Sequence, residues 1–291
     1  MIVTLGFDIA AQTSKNGICA IEWPELKVGC RGHVKSLKVV KNESATIPQF
    51  IAWKQAVCDN LEPAGCGVDQ PFKFPRIFQN ALKTDIPPDT VNIHDYNNLN
   101  WRQTEQDIRS IKKPLSSVTS MMTGNIVNRC WRLLDALDRN WRNDLAGEST
   151  KIFEIYPAAF LTKLCKKCDF DGCGYYIQKD KHGKEKRVAG PKYKEIGDEI
   201  VRKHIFDNHL SYYIDSTPNT CESGDLECEC VRCLIGKSDD ALDAVVCAIV
   251  ARLCLDPNEE TKYLEKPNRS EWYKSEGIIH LPKKCPGEWL N

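Results

Sequence analysis

Apolar and polar positions in this chain group into short strand-like runs near the amino terminus and a few longer helical stretches further on. Residues 2–9 (IVTLGFDI) read as a strand, AAQTSKN offers a turn, and residues 17–23 form a second apolar strand. Residues 33–40 alternate imperfectly as a third. Thr46 is placed to cap a helix with Pro48 in its first turn, and Phe50, Ile51, Val57 and Leu61 recur at roughly helical spacing. GCGVD (65–69) is a short buried strand ending at Gln70-Pro71. Residues 70–123 are rich in Pro, Asn and Asp and predict a long loop region with short helices. Residues 125–143 predict an amphipathic helix, KIFEIY (151–156) a strand, and Pro157 opens a short helix. Residues 191–209 look helical, 238–254 form the strongest helix, and GIIHL (277–281) is a last strand candidate. An opening meander followed by a crossover to a parallel strand predicts an α/β fold on a mixed sheet. The expected organisation is one domain over 1–291, with a Cys-rich, partly basic insertion at 163–236.

Composition narrows the partners. Lys+Arg and Asp+Glu are 40 each, so net charge is zero and a polyanion held by bulk charge is excluded. Nucleic acid would have to be held by a local patch or through metal ions. The amino terminus has no basic region and meets Asp8 too early for a secretory signal. The longest apolar stretch, 241–255, is interrupted by Asp243 and Arg252 and is too short to span a bilayer. No membrane segment and a cytoplasmic location are therefore expected. The fifteen cysteines then read as reduced thiols plus a metal site rather than disulfides.

Four aspartates carry the candidate chemistry. Asp8 lies on the first strand and Asp69 at the end of the strand after the first crossover. Asp240 and Asp243 are three apart in KSDDALDA and so share a helix face. Two strand-borne carboxylates meeting a helix-borne pair would give enough hard oxygen ligands for two divalent cations, Mg²⁺ or Mn²⁺. In-line phosphodiester hydrolysis uses such a pair. Each position also has a structural reading. Asp239 and Asp240 follow the cap candidate Ser238 and suit the helix dipole, while Asp8 and Asp69 both precede turns. Only their combination points to a metal site.

At these residues the chain resembles a known family. GFDIAAQTSKNGICAI, GVDQP, FEIYPAAF, SDDALDAVVCAIVARL and EGIIHLP resemble a domain-of-unknown-function family of predicted nucleases with an RNase H-like fold. WRQTEQDIR (101–109) resembles that family's Arg-x-Thr-Glu segment. The resemblance covers most of the chain except 163–236. In the wider superfamily, which includes the RuvC-like junction resolvases, one Asp on the first strand, one acid on the fourth and two acids three apart on a late helix bind the metals. The resemblance therefore implies an RNase H-like mixed five-stranded sheet flanked by helices, with Asp8, Asp69, Asp240 and Asp243 as metal ligands. Glu154, in the Glu-x-Tyr-Pro strand, is either a further metal or phosphate-site ligand or a buried acid bonded to Arg102 or Arg109.

Two other features are open to more than one reading. Cys165, Cys168 and Cys173 form one cluster and Cys228, Cys230 and Cys233 another, with Cys221 nearby. A structural zinc joining the inserted segments is one reading, scattered thiols the other. Cys19, Cys58, Cys66, Cys247 and Cys254 fall within apolar runs and belong to the core. Window 163–203 holds twelve Lys/Arg against seven acids, either a guide for a phosphate backbone or a solvated surface. Arg129, Arg132 and Arg139, near Trp131 and Trp141, either stack on bases or frame a core helix. The leading expectation is a metal-dependent nuclease. The alternatives are an actin-like phosphate- or ATP-binding protein, against which AAQTSKN lacks a Gly-rich phosphate turn, and a non-enzymatic adaptor working through a zinc-stapled insertion.

Overall fold

The computed structural model describes residues 2–9, 15–26, 30–41, 47–69, 132, 135, 151–167, 176–179, 185–188, 194, 199–215 and 230–255. Strands β1 (Ile2–Asp8), β2 (Lys15–Trp23) and β3 (His33–Lys41) form a meander in which β2 is antiparallel to both neighbours. After helix α1 (Ile47–Val57) the chain returns as β4 (Gly65–Asp69), parallel to β1. Strand β5 (Ile152–Glu154) lies parallel to β4. The result is a mixed five-stranded sheet in the order β3-β2-β1-β4-β5. Helix α2 (Pro157–Lys167) leads to a separate hairpin, β6 (Tyr176–Lys179) and β7 (Glu185–Val188). Helix α3 (Glu199–Ile205) widens into a π-helical turn at Phe206–Leu210. Helices α4 (Val231–Lys237) and α5 (Asp239–Leu255) follow.

Strand alternation decides which helix covers which face. Val3, Leu5 and Phe7 of β1, with Cys66 and Val68 of β4, point to the α1 side and pack with Trp53 and Val57. The rings of Phe7, Phe50 and Trp53 meet there with centroids 4.8–6.1 Å apart. Helix α1 ends with Asp59 and Asn60 in the left-handed region, at φ 53° and 63°, which short polar side chains tolerate. The other residues of β1 and β4 face α5, whose segment from Ala241 to Leu253 is buried throughout. A helix apolar on all sides belongs in the middle of a core. Helices α2, α3 and α4 supply the rest of that second core, through Phe160, Leu161, Leu164, Ile205, Phe206, Val231 and Ile235.

Close approach fixes α5 on the sheet. A Cβ at Gly6 would lie 2.0 Å from the Ala244 carbonyl oxygen, and one at Gly17 would lie 1.9 Å from that of Asp240. Only glycine lets the helix backbone come this near. Thr4 pins the same contact, donating from Oγ1 to the Ala248 carbonyl at 2.9 Å while accepting from Trp23 Nε1 at 2.8 Å.

The α/β class and the mixed five-stranded sheet agree with the sequence reading, with strand ends shifted by at most two residues. Three elements of the inserted region carried no sequence signal. Four-residue β6 (YIQK) and β7 (EKRV) are too short and too charged to alternate clearly, and seven-residue α4 gives barely two helical turns. Of the helix expected over 191–209, residues 199–209 fall in α3 and the π turn, while 191–193 and 195–198 lie outside the described residues. Cys19, Cys58, Cys66 and Cys247 are core residues as expected, whereas Cys254 is only half-buried at the end of α5. Within the helix expected at 125–143, Arg132 and Asp135 are helical. The remainder of that segment, the loop region 70–123 and the strand at 277–281 lie outside the described residues.

Candidate metal centre

The site begins with register. Alternation puts Thr4, Gly6 and Asp8 on the α5 face of β1, and Gly65, Gly67 and Asp69 on the same face of β4. Parallel pairing sets Asp8 beside Asp69, and antiparallel pairing sets it beside Gly17 of β2. The backbone of Asp240 lies over Gly17, so the start of α5 stands above this row. One helical turn on, Asp243 points back at the two strand carboxylates. Ligand oxygens of Asp8, Asp69 and Asp243 all lie within 4.8 Å of one another. Asp8 is 8% exposed and Asp243 is fully buried, so neither is a solvated surface acid.

Such crowding costs free energy, which shows in the protonation equilibria. Burial, then the charges of Asp69 and Asp243, hold the Asp8 carboxyl well above the ordinary carboxylate range. Asp69, packed round by protein though one edge reaches solvent, is pushed up to about 7. Burial is the main cause, and Asp243 and Glu154 add to it against the pull of Lys194. Asp240 is pushed up to about 6 by burial, with Asp239 and Asp243 adding, while the Ser238 hydroxyl and Lys194 oppose the shift. Ser238 Oγ donates to Asp240 Oδ2 at 3.3 Å across the break between α4 and α5.

Among the described residues, a cation of the chain itself, Lys194, enters the group. Lys194 Nζ is 2.7 Å from Asp243 Oδ2, with the lysine side chain 39% exposed and the aspartate fully enclosed. Its charge is also felt at Asp8, Asp69 and Asp240. In the sequence, Lys194 is one of twelve basic residues in a window, and nothing in KYKE marks it apart from the others.

The donors fit a hard divalent cation. Three carboxylate oxygens from three elements can be spanned by one small ion, and the set contains no sulfur or imidazole that would favour a softer metal. Of the residues expected here, Asp8, Asp69 and Asp243 converge. Asp240 stands at the edge of the group, one helical turn before Asp243. Glu154, buried on β5 opposite Val68, adds negative charge near Asp69 but is not among the three converging ligands. The alternative partners for Glu154, Arg102 and Arg109, lie outside the described residues.

The cysteine reading is only partly visible. Cys230 precedes α4 and is half-buried, and Cys233 is buried within it. Cys165 falls in the last turn of α2, while Cys168, Cys173, Cys221 and Cys228 lie outside the described residues. Arg129, Arg139, Trp131 and Trp141 lie outside them as well.

Comparison with known proteins adds one match. A family model described as "Protein of unknown function (DUF429)" matches residues 6–267. No curated protein and no solved structure matches the chain significantly.

Proposed function

The chain belongs to the DUF429 family of unknown function, and from that premise we propose that it is a divalent-metal-dependent phosphodiesterase acting on nucleic acid, built on an RNase H-like sheet. The observation that carries this reading is the convergence of Asp8, Asp69 and Asp243 from β1, β4 and α5. The meander, the parallel return and the late helix bearing acids three apart are what the RNase H-like resemblance implies, and they support it.

Asp8, Asp69 and Asp243 would hold Mg²⁺ or Mn²⁺, with Asp240 at the rim. When bound, such an ion supplies an activated water and neutralises charge developing on the phosphate and the leaving oxygen. The chain's own part is to keep the carboxylates rigid and dry. Glycine-permitted contact fixes α5, Thr4 ties it to β1, and full burial of Asp243 excludes bulk water behind the ligands. Ser238 donates a hydrogen bond to the Asp240 carboxylate and so restrains it at the rim of the group.

The test is cleavage of a panel of single-stranded, duplex and branched DNA and RNA. The expected result is cleavage with Mg²⁺ or Mn²⁺ and none with Ca²⁺, whose longer, more numerous bonds bind without drawing the oxygens together. Asp243→Asn abolishes cleavage. A panel uncut in either active metal, with protein shown to bind that metal, contradicts a nuclease. Cleavage retained by Asp243→Asn assigns the activity to another site or another protein.

A further inference from the structure

Apart from the aspartate centre, two cysteines meet around α4, and what they can do does not depend on the metal reading. Cys230 immediately precedes α4 and Cys233 lies in its first turn. Both are thiols, Cys230 half-buried and Cys233 buried. The Cys230 carbonyl accepts the first bond of the helix, from the Leu234 N–H at 2.9 Å. Helical spacing therefore sets the two Cα atoms about 5 Å apart, inside the span of about 4.4–6.8 Å that a disulfide bridges. Side chains at these two positions also face each other across the first turn.

Helix α3 and the π turn hold this segment in place. Arg232, between the cysteines, donates from Nε to both Asp207 carboxylate oxygens, at 2.9 and 3.0 Å, and from Nη2 to one of them at 2.8 Å. At the far end of α4, Arg202 Nε donates to the Gly236 carbonyl at 2.8 Å. The Asp207 hydrogen bonds hold the Arg232 guanidinium above its ordinary pKa, and the charges of Cys233 and Cys230 add to this, so both sulfurs lie within its reach. A guanidinium beside a cysteine favours the thiolate, the form that attacks disulfides.

We propose that Cys230 and Cys233 form a redox site, a dithiol that small-molecule disulfides of the glutathione class convert reversibly into an intrachain disulfide. The Cys230 thiolate, the more exposed of the two, attacks one sulfur of the small disulfide. That S–S bond breaks, a mixed disulfide forms on Cys230 and one thiol leaves. The Cys233 sulfur then attacks the Cys230 sulfur, expels the second thiol and closes the Cys230–Cys233 bond. Two protein thiols are oxidised, one disulfide is reduced to two thiols, and the protons of Cys230 and Cys233 end on those thiols. The difference in burial sets the order, with an accessible thiol to attack and a buried one to resolve.

The probe is oxidised glutathione added to the full chain, with zinc content measured beforehand and the products read by intact mass and by peptide mapping without reduction. Wild-type protein should show Cys230 joined to Cys233, and reduced glutathione should reverse it. Cys233→Ser should stop with one glutathione on Cys230, and Cys230→Ser should leave Cys233 unmodified. Far-UV circular dichroism confirms that the variants fold, and the wild-type map keeps the test decisive if they do not. Both cysteines still reduced in wild type under excess oxidised glutathione, or either one bridged to a different cysteine, overturns the proposal. So does a zinc ion that is lost from folded Cys230→Ser and folded Cys233→Ser, since the pair would then be metal ligands. None of these outcomes touches the aspartate centre, whose three converging ligands include no cysteine.

Discussion

Asp243 is a fully buried carboxylate in the middle of an apolar helix, flanked by Leu242 and Ala244, each equally enclosed. An ionised acid persists in such surroundings only with cations to hand, and the enclosed Asp8 and the partly enclosed Asp69 bring the same demand to the same point. The pH dependence follows. An unfolded Asp titrates near about 3.9, while Asp69 is held up to about 7 and Asp240 to about 6 in the folded chain. The native state therefore keeps protons that the unfolded chain gives up. The stability these carboxyls contribute is complete below about pH 4 and lost as pH rises through 6 and 7. Metal-free protein should thus lose melting temperature between pH 5 and 7.5, Asp69→Asn should flatten that slope, and saturating Mn²⁺ should reverse it because the ion binds the ionised form. Thermal melts across this range check it, and a metal-free melting temperature that climbs with pH would contradict it. All four aspartates were legible in the sequence, because a strand acid, a second strand acid and an i, i+3 pair each follow from local pattern. Lys194 was not legible. Its pairing depends on where the chain between the hairpin and α3 passes, and no local periodicity encodes that.

At the scale of elements, the centre depends on how closely α5 meets the sheet. Gly6→Ala puts a Cβ 2.0 Å from the Ala244 carbonyl oxygen, against backbone that cannot swing away. Helix or strand must shift, at a cost of about 1–3 kcal/mol, and Asp243 shifts with the helix. The expected outcome is a lower urea midpoint together with at least a tenfold loss of Mn²⁺ affinity. Unchanged metal affinity in a destabilised Gly6→Ala protein would show that the site does not depend on this contact. The strands β1 to β4 and helix α5 were readable because each is long or apolar enough to show its period. The β6–β7 hairpin and α4 were not, since four to seven residues carry too few repeats and their order depends on partners distant in sequence. The π turn at Phe206–Leu210 is a tertiary feature too. There Asp207 accepts two contacts from Arg232 Nε, at 2.9 and 3.0 Å, and one from Nη2 at 2.8 Å. A polar contact between the π turn and α4 leaves no trace in hydrophobic periodicity.

Over the whole molecule, zero net charge means that nothing draws a polyanion from a distance. Among the described residues no helix is long and apolar enough to cross a membrane. Any attraction for the proposed phosphate backbone would therefore be local, at an acidic pocket that becomes attractive to phosphate only with a cation in it. The sheet order brings that pocket together from sequence positions as far apart as Asp8 and Asp243, so its existence is a statement about the entire fold. The most direct test is a crystal structure of the protein soaked in Mn²⁺, read from its anomalous scattering. Strong anomalous density bonded to carboxylate oxygens of Asp8, Asp69 and Asp243 is the expected result. Anomalous density elsewhere with none among these three carboxylates, in crystals grown where Asp69 is ionised, would contradict a metal centre there.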